Sequence, residues 1–159
     1  MVEPADAEAL LLLEHSTGRK DLTSEDLEAF CSGSHDIYAT GQLRLIIEHG
    51  DGDVKSVGAV DLFDFDAEHL RAGVGIAISP EFQQQGLATE ALAALARYAQ
   101  YGLQLRCLYA HVPADNPASS ALFSKAGYLH VGNMKDWVRR GNNWMDAAVF
   151  QFTFPTPAP

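Results

Sequence analysis

Residues 75–92, reading GIAISPEFQQQGLATEAL, constrain this chain most. An aliphatic run stops at Pro80, a glutamine-rich loop follows, and Gly86 precedes a leucine- and alanine-rich segment. That order reads as strand, loop, glycine and helix, a unit that requires a sheet with helices packed against it. Such a loop aims backbone N–H groups and a helix N-terminus at one point, which binds an anion without much formal positive charge. Gly86 permits close backbone approach there, and Ala88 keeps the first helical turn small. No Gly-Lys-Ser/Thr follows, so it is not a P-loop. Gly73 and Gly75 begin a Gly-x-Gly pattern, but Ile78 stands where the third glycine of a dinucleotide fingerprint would be.

The pattern around this unit predicts a mixed α/β domain on one sheet. Helices are expected over 4–14 and 23–30, the second opening on Thr23 and Ser24 ahead of acids. Strands are expected over 42–49 and 56–65, joined by an Asp-Gly-Asp turn as a hairpin. A strand follows over 72–79, a helix over 88–101, with Leu92, Leu95, Ala96 and Ala99 at helical spacing, and a strand over 105–112. A helix over 116–127 ends at Gly127. Extended segments over 128–132 and 134–140, a Gly-Asn-Asn turn and a strand over 144–154 close the chain. One domain over 1–154 and a frayed tail over 155–159 are expected, since 159 residues support a single core.

Composition limits the partners. The 21 acids and 11 Lys and Arg give a net charge of −10, which argues against binding nucleic acid. The charge is uneven: residues 1–70 hold 16 acids and four bases, and residues 71–159 hold five acids and seven bases. One half therefore suits cations and the other tolerates an anion. Two cysteines, Cys31 and Cys107, offer neither a disulfide framework nor metal spacing. No apolar stretch is long enough to span a membrane. A soluble, cytoplasmic protein with no metal and no membrane partner is expected.

At Gln83, Gly86 and Ala88 the chain resembles the GNAT family of acyl-CoA-dependent N-acyltransferases, whose pyrophosphate loop reads (Gln/Arg)-x-x-Gly-x-(Gly/Ala). Asn116-Pro117-Ala118-Ser119-Ser120-Ala121-Leu122-Phe123-Ser124-Lys125-Ala126-Gly127-Tyr128 is similar to the family's second CoA element. The resemblance covers about residues 36–154 and looks closest to the branch acting on polyamines, ribosomal proteins and other N-terminal amines. It implies a mostly antiparallel central mixed sheet, splayed at the CoA site and flanked by helices. It also implies acetyl-CoA as acyl donor. By the same resemblance the backbone of Ala77, Ile78 and Ser79 would pair with the pantetheine amides, and residues Gln83, Gln84, Gln85, Gly86, Leu87, Ala88 and Thr89 would cradle the pyrophosphate. Asn116 would bind the pantetheine arm, Phe123 would line the CoA site, and Lys125 would meet a CoA phosphate.

Two departures from the family pattern stand out. Phe123 occupies the place of a tyrosine that protonates the leaving thiolate, and phenylalanine has no proton to give. Tyr128, Tyr109 or a water could take that role. The family's first strand has no counterpart ahead of the first expected helix, so the resemblance implies an acceptor site trimmed or completed by a partner chain in a homodimer.

The expected reaction is direct attack of a primary amine on the thioester, with backbone N–H groups at the oxyanion. Asp61, Asp64, Glu28 and His111 are candidate bases, and Glu28, Asp61 and Asp64 candidate ligands of a cationic acceptor: a polyamine, amino sugar or protein N-terminus. Plainer readings exist for each. His111 also reads as a sheet histidine, Asp61 and Asp64 as solvated strand positions, and Phe123 as helix core. Trp137 and Trp144 read as a cross-strand pair and Cys107 as a small buried residue. The alternative function is a non-catalytic or regulatory acyl-CoA-binding module.

Overall fold

A computed structural model describes residue 23 and residues 36–50, 52 and 54–155. The expected helices over 4–14 and 23–30, with Glu28 and Cys31, lie outside the described residues, apart from Thr23. The first described element is a single helical turn, α1 (Ile37–Thr40), which the sequence reading passes over. Asp36 caps it by accepting from the Tyr38 N–H, and Gly41 ends it at φ 72°, a conformation that costs glycine little.

Six strands follow: β1 (Leu43–His49), β2 (Lys55–Asp66), β3 (Arg71–Ile78), β4 (Cys107–Pro113), β5 (Leu129–Arg140) and β6 (Asn143–Thr153). They form one sheet in the order β1-β2-β3-β4-β6-β5, antiparallel at every pairing except β3 with β4. A 3-10 turn (Pro80–Phe82) and α2 (Leu87–Tyr101) connect β3 to β4, and α3 (Pro117–Lys125) connects β4 to β5. The two extended segments expected over 128–132 and 134–140 are one strand, because Gly132 and Asn133 stay in register with β6.

Alternation along the strands sorts the two faces. Val60 and Leu62 of β2, Val74 of β3 and Leu108, Ala110 and Val112 of β4 pack with Leu92, Leu95 and Ala99 of α2. Phe123 of α3, Tyr128 and Phe150 complete this core. Each buried aliphatic side chain adds ~1.5–3 kcal/mol of transfer free energy. Glycine and mostly polar or aromatic residues alternate with these onto the far face: Asp61 and Phe63, Gly73 and Gly75, Tyr109 and His111, and Gln151 beside Val149. Gly73 is there for space. A Cβ on it would stand 2.3 Å from the Phe63 ring, which lies across it.

Of the register shifts in the sheet, two centre on an aspartate in the left-handed region. In β2 the register shifts between Phe63 and Asp66, and Asp64 has φ 48°. In β5 the shift falls between Met134 and Val138, and Asp136 has φ 47°. Asp tolerates this conformation better than most residues, and a bulge re-aims the side chains around it.

Candidate active site

The parallel pair β3–β4 is in register only from Arg71 with Cys107 to Gly73 with Tyr109. Beyond it β3 runs on to Ile78 and β4 to Pro113 without pairing, so the sheet opens into a V at its upper end. Backbone groups facing that opening are unspent by the sheet. Ser79 donates its N–H to the Val57 carbonyl on the other side. Because hydrogen-bonding direction alternates along an antiparallel strand, Ile78 turns its backbone toward the opening, while Ala77 and Ser79 turn toward β2. Of the three residues expected to pair with an amide chain, one therefore faces the cleft, and its carbonyl already accepts from Gln83 Nε2 at 2.9 Å.

The loop that follows ends at the same opening. Gln84 has φ 61° and Gly86 φ 87°. A Cβ on Gly86 would meet nothing within 4 Å, so the glycine is needed for its dihedral and not for room inside the protein. No side chain caps α2, whose first turn sends the Thr89 and Glu90 N–H groups to the Gly86 carbonyl. The Leu87 and Ala88 N–H groups precede the first intrahelical bonds and point outward with the positive end of the helix dipole. Asn116 stands at the start of α3 and spends Oδ1 on the Ser119 N–H at 3.1 Å, capping that helix. Lys125 ends α3 and lines a groove of about 420 Å³ with Thr89 and Arg97 of α2.

Phe123 is core. It packs edge-on to Tyr128 at 5.1 Å and stacks on Phe150 at 6.2 Å. Tyr128 lies on this same helix-covered side, buried to 4% exposure, with a hydroxyl that meets no partner. Burial holds that hydroxyl protonated far above its ordinary range. It lines the Lys125 groove and is separated by the sheet from the far-face candidates.

The far face carries a second constellation. Asp64, Tyr109 and His111 share a cavity of about 900 Å³ with Asp66, Glu68 and Gln151. The β2 bulge turns the Asp64 carboxylate to accept from the Tyr109 hydroxyl at 3.3 Å. Burial, with the Asp64 charge beside it, raises the Tyr109 phenol above its ordinary range, so it remains the donor in this pair. Asp66 is engaged by the His69 N–H and by Arg71, which hold its carboxyl low. Cys107 accepts from Gln151 Nε2 at 3.2 Å and lines the base of the cavity instead of the core. Asp61 stands apart: Arg44 grips it at two points, Nε to Oδ1 at 2.6 Å and Nη2 to Oδ2 at 2.7 Å. Asp61 is thus a structural partner of Arg44, whereas Asp64 meets no base among the described residues.

Trp137 and Trp144 do not form the expected cross-strand pair. The partner of Trp144 is Arg139, and three residues of β5 (Lys135, Asp136 and Trp137) stand opposite Asp146 alone. Trp137 lies instead edge-on to His111, 5.9 Å between ring centres. Its single-residue neighbourhood held no signal for this, because the bulge depends on pairing with β6.

Among the described residues no group of three or more His, Cys, Asp or Glu could hold a metal ion. No described helix is long and apolar enough to cross a membrane.

The family model "Acetyltransferase (GNAT) domain" matches residues 1–129. The chain is 28% identical over 98 residues to the spermidine N(1)-acetyltransferase of Vibrio cholerae, covering 62% of this chain and 56% of that one. It is 32% identical over 98 residues to the enzyme of that name from Escherichia coli K12, covering 62% and 51%. These alignments span about half the length of the curated relatives. A spermidine N-acetyltransferase chimera from Vibrio cholerae and hSSAT superimposes with a TM-score of 0.84 at 22% identity, covering 96% of this chain and 92% of its own. The dodecameric spermidine N-acetyltransferase from Vibrio cholerae gives 0.81 at 20% identity, covering 96% and 90%. At those identities the likeness shows the fold.

Proposed function

Because this chain belongs to the GNAT acetyltransferase family, we propose that it transfers an acetyl group from acetyl-CoA to a primary amine carried by a cationic acceptor. The observation that carries the reading is the coincidence, at one end of the sheet, of the β3–β4 opening and the uncapped start of α2. The opening gives a linear amide chain backbone groups to pair with, and the helix start gives its pyrophosphate a set of N–H donors. Asn116 Nδ2 supports the pantetheine arm, and Lys125 and Thr89 flank the phosphates from the groove between α2 and α3. Gln83 holds the loop to Ile78, while Gln84, Gln85, Gly86, Leu87 and Ala88 provide its backbone.

The acceptor reaches the thioester from the far face. Its ammonium is drawn by Asp64 and Glu68 and must lose a proton before it attacks. His111 and Asp64 are groups in the cavity able to take that proton, directly or through water. Attack by the free amine forms the tetrahedral intermediate at the opening, and backbone N–H groups there stabilise its oxyanion. Collapse releases CoA thiolate, which is a good enough leaving group to depart without a tyrosine at position 123. A polyamine fits the acidic cavity and agrees with the spermidine named for the relatives. The outer edge of β5, where Leu129 and Val131 are exposed, is the surface on which a second copy would pair.

Release of free CoA from acetyl-CoA with a panel of amines tests the reading. Turnover with spermidine or another polyamine is the expected outcome. Tight CoA binding with no turnover on any amine would leave a non-catalytic acyl-CoA-binding module, and no thermal shift with millimolar CoA would remove both.

A further inference from the structure

The acceptor-binding part of the site extends beyond the acids to an aromatic row. Phe63, Tyr109, His111 and Trp137 follow one another across the far face, with ring centres 6.2 Å, 5.3 Å and 5.9 Å apart. The first three come from β2 and β4, but Trp137 comes from β5, and β6 lies between β5 and β4. Two strand spacings are ~10 Å. A tryptophan in regular β5 geometry would not be delivered to His111. The bulge delivers it, and the bulge is pinned: the Asp146 carboxylate accepts from Lys135 Nζ at 2.6 Å and from the Asp136 N–H at 3.2 Å.

This arrangement leaves Trp137 half-exposed, at 52%, although it is held in place by a specific ring contact and a specific bulge. A large aromatic surface kept in water at a defined position is a recognition feature more than a packing one. The charges around it agree. Lys135 is paired with Asp146 and Arg71 with Asp66, while Asp64 on the same face meets no cation among the described residues. Aromatic faces next to an uncompensated carboxylate favour an alkylammonium, which gains from the ring quadrupole as well as from the charge.

We propose that Trp137, with Tyr109 and His111, is the acceptor-recognition surface of the site and selects an amine whose body carries a second ammonium group. The inference rests on the transferase reading for its reaction but not for its binding step. Trp137 holds the distal, non-reacting ammonium, and Asp146 is a positioning residue that acts through the bulge.

Isothermal titration of spermidine into the full chain, together with steady-state kinetics, tests this. Trp137→Ala should weaken spermidine binding and raise its KM at least fivefold, leaving kcat within twofold and the KM for acetyl-CoA unchanged. Trp137→Phe should recover most of the loss. A monoamine of the same length with a neutral ether body should show little change in either variant. Asp146→Asn should reproduce the Trp137→Ala effect on spermidine, and unchanged melting temperature and CoA thermal shift would show both variants folded. Equal losses for the charged and neutral-bodied amines, or a fall in kcat at constant KM, would overturn the proposal and leave Trp137 as a support for His111. If the wild type turns over no amine, the transferase reading fails. The titration still decides the inference, because spermidine binding that Trp137→Ala does not weaken rules it out.

Discussion

At residue scale, four positions separate shape from chemistry. Gly73 is required by Phe63, whose ring occupies the place of a side chain on β3. Gly73→Ala should therefore cost ~1–3 kcal/mol by overpacking, and the added Phe63→Leu change should recover part of it in urea melts. Gly86 is different, because nothing surrounds its absent Cβ. Gly86→Ala should cost only the ~1–2 kcal/mol of a left-handed residue, while Gly86→Asp should also abolish CoA binding, by placing negative charge where phosphate belongs. Tyr128 hides a hydroxyl with no partner. A buried unpaired donor costs ~1–3 kcal/mol, so Tyr128→Phe should leave the free protein equally or more stable. A fall in stability would reveal a bonded water or a ligand-facing role. The converse applies at Phe123, which is surrounded by Tyr128 and Phe150. Phe123→Tyr should destabilise the free protein by ~1–3 kcal/mol, and an enlarged CoA thermal shift would show that the new hydroxyl finds the thiol.

At the scale of elements, the two bulges do what the regular strands cannot. One turns Asp64 toward Tyr109, and the other carries Trp137 across β6. The second depends on the Asp146 carboxylate, whose hydrogen bond from Lys135 holds it below its ordinary value of 3.8. A carboxyl lowered in the folded state stabilises it above its unfolded value and loses that contribution as pH falls through the folded one. The bulge should thus hold Trp137 in position through neutral pH and release it only in acid below about 3.8. Asp146→Asn should show the moved environment at every pH. Fluorescence of a Trp144→Phe background, in which Trp137 is the remaining tryptophan, would read both. The helices carry the other half of the site: α2 presents its start because Gly86 provides no capping oxygen, whereas α3 is closed by Asn116.

At the scale of the whole molecule, the charge asymmetry becomes a statement about the direction of approach. The acids of residues 1–70 include Asp64, Asp66 and Glu68 on the far face, while Lys125 and Arg97 flank the groove on the helix-covered side. On the proposed reading, a sheet with acids on one side and bases on the other would let a polyanionic donor and a polycationic acceptor meet without crossing paths. Rates with polycationic amines should fall with added salt more steeply than rates with singly charged ones, since the Debye length shortens to ~10 Å at 0.1 M.

Much of this was legible in the chain itself. The strand–loop–helix unit, the long α2 and both hairpins follow from periodicity and from Pro80, Gly86 and Gly127, because those signals act within a few residues. The bend of the loop ahead of α2 follows too, since a glycine dihedral needs no distant partner. What tertiary structure alone decided was which side chains are free. Asp61 and Asp64 look alike in sequence three positions apart, yet Arg44 closes on one and a bulge opens the other to the cavity. Tyr128 and Tyr109 are equally plausible acids on paper, but Tyr128 is buried against Phe123 ahead of β5 while Tyr109 lines the far-face cavity from β4. Trp137 reaches His111 only through a register shift against β6. Local pattern determines what a segment is. Pairing, bulges and burial, which depend on residues far away in the chain, determine what its side chains can touch.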